Sequence, residues 1–417
     1  VNDDPATHTA VDTSKSIVFI NWKGMLIDND TYGAGFLAGE FYTDKILLIS
    51  RQEVKSAGTV KWYVVEFSEG VKVQAGVSII PELDTERLTS LPSSVDLDKA
   101  FMIVYPSCGK AKDIEAIRIK GEFVSSNQMK FERGSAKEMA FINWQVVEFL
   151  TDANIQSGTA TIANRATSSG PISITPVDPN KSFLVFSSTT SANTLEDDAF
   201  IRGSITDGGS TITFTRTGDF GDVTIPWFVI EFTDESSLVQ ANSKTMTTLD
   251  DYETITAIDL SRAFPLLSVA GGAKKSPDEA FVAASFSSTT QLDFSRADGD
   301  TNSYVDWQVI EMSPLTLTSP NGGEVWEVGS SYDITWIYAD SLKSGGTGTG
   351  GVHRIKLELS KDSGSSWLAT AIVSGLDVDT GILDNVGSYT WTVPPDLGGV
   401  DIIGEQIRIK ITDTDMS

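Results

Sequence analysis

Trp62-Tyr-Val-Val-Glu66-Phe67, Trp144-Gln-Val-Val-Glu148-Phe149, Trp227-Phe-Val-Ile-Glu231-Phe232 and Trp307-Gln-Val-Ile-Glu311-Met312 are four copies of one hexapeptide, their tryptophans 82, 83 and 80 residues apart. The alternation is period two: Trp, the Val two positions on and Glu share one face, and the residues between them share the other. Both faces are largely apolar, which suits a strand enclosed between other elements better than a half-exposed one. The hexapeptide therefore reads as the central strand of a repeated all-β unit.

The copies extend upstream. Eleven residues before each Trp stands an arginine, Arg51, Arg133, Arg216 or Arg296, preceded by apolar residues two and four positions earlier. Still further upstream each unit has a branched residue, Asp, two variable residues and a base: Val11-Asp12 with Lys15, Val95-Asp96 with Lys99, Val177-Asp178 with Lys181, and Ile258-Asp259 with Arg262. A small residue, Gly39, Gly121, Gly203 or Ala284, lies 23 or 24 positions before the Trp. After the Trp strand comes Val73-Gln74-Ala-Gly76, Ile155-Gln156-Ser-Gly158 or Val239-Gln240-Ala-Asn242; the fourth unit runs instead into Ser313-Pro314. Helix-period windows with caps are nearly absent. The fold class is all-β, a tandem array of small β-sandwiches of roughly five to seven strands each, at 1–70, 71–152, 153–236 and 237–313. Each unit can enclose a core of its own, so the array is expected to behave as beads on a string.

From residue 314 to 417 the pattern changes. Ser319-Pro-Asn-Gly-Gly-Glu324 opens a run of alternating segments around Tyr332-Asp-Ile-Thr-Trp336, Ile355-Lys-Leu-Glu-Leu359, Tyr389-Thr-Trp391 and Ile407-Arg-Ile-Lys-Ile411. This part resembles the Ig-like or fibronectin-like modules with a Ser-Pro-Asn-Gly-Gly-Glu opening found in secreted and surface-displayed bacterial proteins. The resemblance implies a spacer or stalk module, with no catalytic residues to carry over. The upstream units resemble the tandem repeats of very large bacterial surface proteins and, in their Trp-bearing last strand, H-type lectin sandwiches. A start at Val1 without a leader reads as a processed product or fragment, and the module is expected to continue past Ser417.

Composition narrows function. The chain has 417 residues, 57 acidic against 31 basic, and a net charge of -26, which opposes a phosphate backbone. Two histidines, His8 and His353, and one cysteine, Cys108, leave little for neutral-pH acid–base, thiol or zinc chemistry. No apolar run reaches the ~20 residues of a membrane span. Sparse thiols and a Ser/Thr/Gly-rich, acidic chain point outside the cell.

The repeated Arg and Glu read as architecture rather than as four active sites. If the Arg and Trp strands form a hairpin, Arg lies over Trp in a cation–π contact worth ~0.5–2 kcal/mol, and Glu lies too far along to pair with it. The repeated Asp reads as an Asx turn. Asp298-Gly-Asp300-Thr-Asn302 has the alternating oxygen ligands of a calcium loop, as do Asp377-Val-Asp379 and Asp384-Asn385, but none has the distal Glu of an EF-hand. Cys108 reads as a core thiol. Asn29-Asp-Thr31 and Asn180-Lys-Ser182 match the glycosylation pattern, and 344–351 is a glycine-rich loop.

These observations lead to a non-enzymatic extracellular structural protein on a microbial surface, a stalk, fibre or filament subunit that self-associates or joins other surface proteins, with no cofactor unless calcium. A carbohydrate-binding adhesin and a viral tail or capsid component are the alternatives. One further expectation concerns strand number: if the Val-Gln strand belongs to the unit it precedes, the first sandwich is one strand short and open to strand addition by another subunit.

Overall fold

The computed structural model describes the chain apart from residues 1, 25–34, 53–56, 68–69, 110–112, 151–152, 192–195, 234–236, 272–277, 313–314, 321, 339, 344–345, 363–365, 382–385 and 416–417. The chain is nearly all β and divides into two compact units. The first comprises Val1–Glu231, Val239–Thr254 and Phe264–Val309; the second comprises Phe232–Leu238, Ile255–Ala263 and Ile310–Ser417.

Each complete repeat is two antiparallel sheets, three-stranded except that Thr189–Thr190 adds a short fourth strand to the Trp-strand sheet of the third repeat. In the second repeat, Ala140–Phe149, the Trp strand, lies between Val71–Ile80, the Val-Gln strand, and Ala100–Cys108. The other sheet sets Gln128–Arg133, the Arg strand, between Glu86–Ser90 and Ile119–Ser125. The Trp strand is buried along almost its whole length, as its two apolar faces require. The two sheets approach closely at the repeated small residue. A Cβ on Gly121 would lie 2.8 Å from Met102 Sδ, and one on Gly203 would lie 3.0 Å from the Phe186 ring.

The third and fourth repeats follow the same plan, with Trp strands Val223–Phe232 and Ser303–Met312 flanked by Val-Gln strands Ala153–Ile162 and Ser237–Met246. The Val-Gln strand therefore belongs to the repeat it precedes. Gly76 and Gly158 of that strand let the Trp indole lie flat on the backbone, since a Cβ there would meet Trp144 at 2.7 Å and Trp227 at 2.6 Å.

The repeats are not separate beads. All four contribute to the first unit, and hydrogen bonds link them in a closed cycle. The residue four positions after Ile17, Phe101, Phe183 or Phe264 makes each link. Tyr105 of the second repeat accepts Ile20 N–H of the first (3.2 Å), and Ser187 of the third accepts Gly121 N–H of the second (2.9 Å). Ser268 of the fourth accepts Gly203 N–H of the third (3.1 Å), and Asn21 of the first accepts Ala284 N–H of the fourth (2.7 Å). Where the repeats converge, Phe36, Ile114, Ile117, Phe200 and Phe281 form a shared apolar cluster, with Phe36 and Phe281 ring centroids 5.6 Å apart and Phe200 and Phe281 5.5 Å apart.

The second unit holds the C-terminal module. One sheet orders Leu315–Ser319, Ser331–Tyr338 and Val386–Thr392; the other orders Val373–Asp377, Arg354–Ser360 and Arg408–Asp413. Trp336 is fully buried between them and donates from Nε1 to Val378 O at 2.8 Å, and Gly387 leaves room for its indole.

Candidate functional site

The repeated polar residues tie turns and loops to the ends of the strands. Each Asp starts a turn in which its Oδ1 accepts the N–H two residues on: Asp12 from Ser14 (2.9 Å), Asp96 from Asp98 (3.0 Å), Asp178 from Asn180 (2.9 Å) and Asp259 from Ser261 (2.9 Å). Each repeated Glu then accepts the backbone N–H of that Asp: Glu66 from Asp12 (2.7 Å), Glu148 from Asp96 (2.8 Å), Glu231 from Asp178 (2.8 Å) and Glu311 from Asp259 (2.9 Å). The carboxylate holds the turn onto the end of the Trp strand.

The arginines correct the expectation. The Arg and Trp strands lie in different sheets, not in one hairpin, and among the described residues no repeated Arg stacks on a repeated Trp. Arg133 is 2% exposed and donates to Pro81 O (2.8 Å), Asp84 O (2.9 Å), Ala116 O and Glu138 O. Arg216 donates to Ala163 O, Ala166 O, Phe220 O and Gly221 O, and Arg296 to Thr248 O, Thr301 O and Ser303 Oγ. Carbonyl dipoles from the surrounding loops solvate each buried guanidinium, so one side chain pins the loops at that end of the sandwich. Burial lowers the pKa of all three.

The candidate cation loops are also absorbed locally. Asp298 Oδ1 accepts Asp300 N–H, and Thr301 O turns in to Arg296, so this loop closes on a guanidinium. Asp377 accepts Thr349 N–H and lies 3.5 Å from Arg354. His353, Asp413 and Asp415 come together, with His353 Nδ1 2.6 Å from Asp413 Oδ2. Asp415 is engaged by Thr347 and Arg354 N–H, and the group ties the last strand to the loop before Arg354. Asp384, Asn385 and the Asn29 motif lie outside the described residues. Cys108 is fully buried, and burial pushes its thiol up to about 12 despite nearby Arg133, so it stays protonated and unreactive at neutral pH.

The first repeat departs from the other three. Its Trp strand, Thr59–Glu66, pairs only with Ser16–Lys23, and among the described residues no strand fills the place that Val71–Ile80 takes in the second repeat. Trp62 is consequently half-buried, against 5%, 7% and 5% exposure for Trp144, Trp227 and Trp307. Val60 and Val64 are likewise only partly covered. In the complete repeats the Gln of the incoming strand clamps one peptide unit: Gln74 bonds N–H and C=O of Ser93, and Gln156 those of Thr175. The matching unit of the first repeat is Thr9, where His8 Nδ1 sits 2.6 Å from the carbonyl and the His8 ring leans on Trp62 at 6.4 Å.

Three residues before the small residue stand Phe36, Arg118, Phe200 and Phe281, an aligned position the sequence landmarks pass over although its spacing is as constant as theirs. No protein-family model, curated protein or solved structure matches the chain.

Proposed function

We propose that this chain is a non-enzymatic structural subunit of an extracellular assembly, joined to its neighbour by strand addition at the open edge of Thr59–Glu66. The observation that carries the reading is the unfilled place beside Trp62, which three homologous repeats of the same chain fill with one kind of strand. An exposed edge offers N–H and C=O groups in register for another strand, and edges of this kind are normally covered or blunted. A strand with the apolar-x-apolar-Gln-small-Gly pattern fits this place: its Gly would lie over Trp62, and its Gln would reach the Thr9 peptide. Two histidines and a buried thiol, with no assembled set of acid, base and nucleophile among the described residues, support a role without chemistry.

The test uses the full chain and a synthetic peptide with the sequence of residues 153–162. Sedimentation velocity and electron microscopy are expected to show concentration-dependent end-to-end assembly that the peptide caps, with a blue shift of Trp emission as Trp62 is covered. A chain that stays monomeric at every concentration and ignores the peptide would overturn the reading.

A further inference from the structure

Arg118 stands at the aligned position where the other three repeats place Phe36, Phe200 and Phe281. It faces a cavity of about 280 Å³ bounded by all four repeats, whose walls include Trp22, Ile103, Phe186 and Leu266. The polar groups along these walls are largely committed: Ser187 and Ser268 to backbone N–H groups, Gln308 to N–H and C=O of Leu184, and Tyr105 to Val18 and Ile20.

The guanidinium is different. Nη2 donates to Ser188 Oγ at 2.7 Å, and the group lies over the Phe200 ring at 5.2 Å. Its Nε is shielded from solvent yet has no acceptor, and among the described residues no carboxylate pairs with it. Arg133 and Arg216 at the repeated Arg position satisfy themselves on carbonyls; Arg118 does not. Burial pulls its pKa down to about 10, so it remains a cation at neutral pH.

A planar cation that lines the cavity without a carboxylate partner, set among aromatic walls, is complementary to a carboxylate carrying a hydrocarbon group. One guanidinium neutralises a single charge, which favours a monoanion over a phosphate dianion. The net charge of -26 gives anions no long-range attraction, so selectivity for one must come from this local contact.

We infer that the central cavity binds a small apolar carboxylic acid as its anion, with the carboxylate on the Arg118 guanidinium and the hydrocarbon against Phe200 and the surrounding apolar wall.

The test is isothermal titration and thermal denaturation of the full chain with benzoate, phenylacetate and the neutral analogue benzyl alcohol. At least one acid is expected to bind and to raise the unfolding midpoint in proportion to the logarithm of its concentration above Kd. Benzyl alcohol is expected to bind at least tenfold more weakly. R118F, which restores the residue of the other three repeats, and R118Q, which keeps polarity without charge, should each lose at least tenfold in affinity while keeping the wild-type circular dichroism spectrum. The inference is overturned if neither acid binds the wild type, if the alcohol binds as tightly as the acids, or if a folded R118F or R118Q retains the affinity.

Discussion

Arg216 shows how a residue's position and its role can separate. Its place eleven residues before Trp227 is plain in the sequence, but that spacing fits a hairpin as well as a loop crossing from one sheet to the other, and the loop is what forms. The guanidinium consequently meets carbonyls rather than an indole. Arg216→Leu should cost on the order of 3–5 kcal/mol in urea denaturation rather than the ~1 kcal/mol of a lost cation–π contact, because several buried carbonyls lose their donor together. Arg216→Lys should recover little of it, since an ammonium cannot reach carbonyls spread around a planar fork. The repeated Asp, by contrast, was legible, because an Asx turn is made within three residues and needs no knowledge of the fold.

Acid should loosen the C-terminal module at Asp362. Ser366 and Ser360 donate to its carboxylate and hold its pKa at about 2, below the usual 3.8. A depressed pKa stabilises the fold above the unfolded value and loses that contribution as pH falls through the folded one. Between about pH 4 and pH 2 the wild-type module should therefore lose stability that Asp362→Asn does not lose, as read by thermal midpoints at stepped pH.

At the scale of strands, the residue after each Trp alternates Tyr63, Gln145, Phe228, Gln308, and the interfaces alternate with it. Gln145 brackets Val18, accepting its N–H at 2.8 Å and donating to its C=O at 2.9 Å; Gln308 does the same to Leu184 at 2.7 and 3.0 Å. Each amide thereby stands in for a neighbouring strand along an edge. Tyr63 instead donates to Ala284 O, and Phe228 packs edge-on to Phe123 with ring centroids 5.8 Å apart. Gln145→Leu should destabilise by about 2 kcal/mol, the cost of leaving a buried N–H and C=O unpartnered, and amide hydrogen exchange at Val18 should rise selectively. The strands and their order within a repeat could be read from alternation and turns. The pairing of repeats could not, because a period-two pattern shows that both faces are covered without showing by what.

For the first unit as a whole, the linked cycle and shared centre imply folding as one body. Each repeat leaves an apolar patch at its inner end that only the other three cover. Calorimetry should give a single transition for this unit, with a calorimetric enthalpy matching the van't Hoff value. Residues 71–152 alone should unfold at a far lower temperature than the same residues in the full chain. Four independent transitions, or an isolated repeat as stable as the whole, would mean that the links between repeats contribute nothing.

The convergence of Phe36, Arg118, Phe200 and Phe281 has a further consequence for symmetry. Four identical chains arranged in the same cycle would place four like residues at the centre: either four phenylalanines or four mutually repelling cations whose shared burial nothing offsets. Joining the copies in one polypeptide releases each from that identity. A tandem gene can change one quarter of a quasi-symmetric body at a time, and so admit a single charge where an oligomer of equals would have to accept none or four.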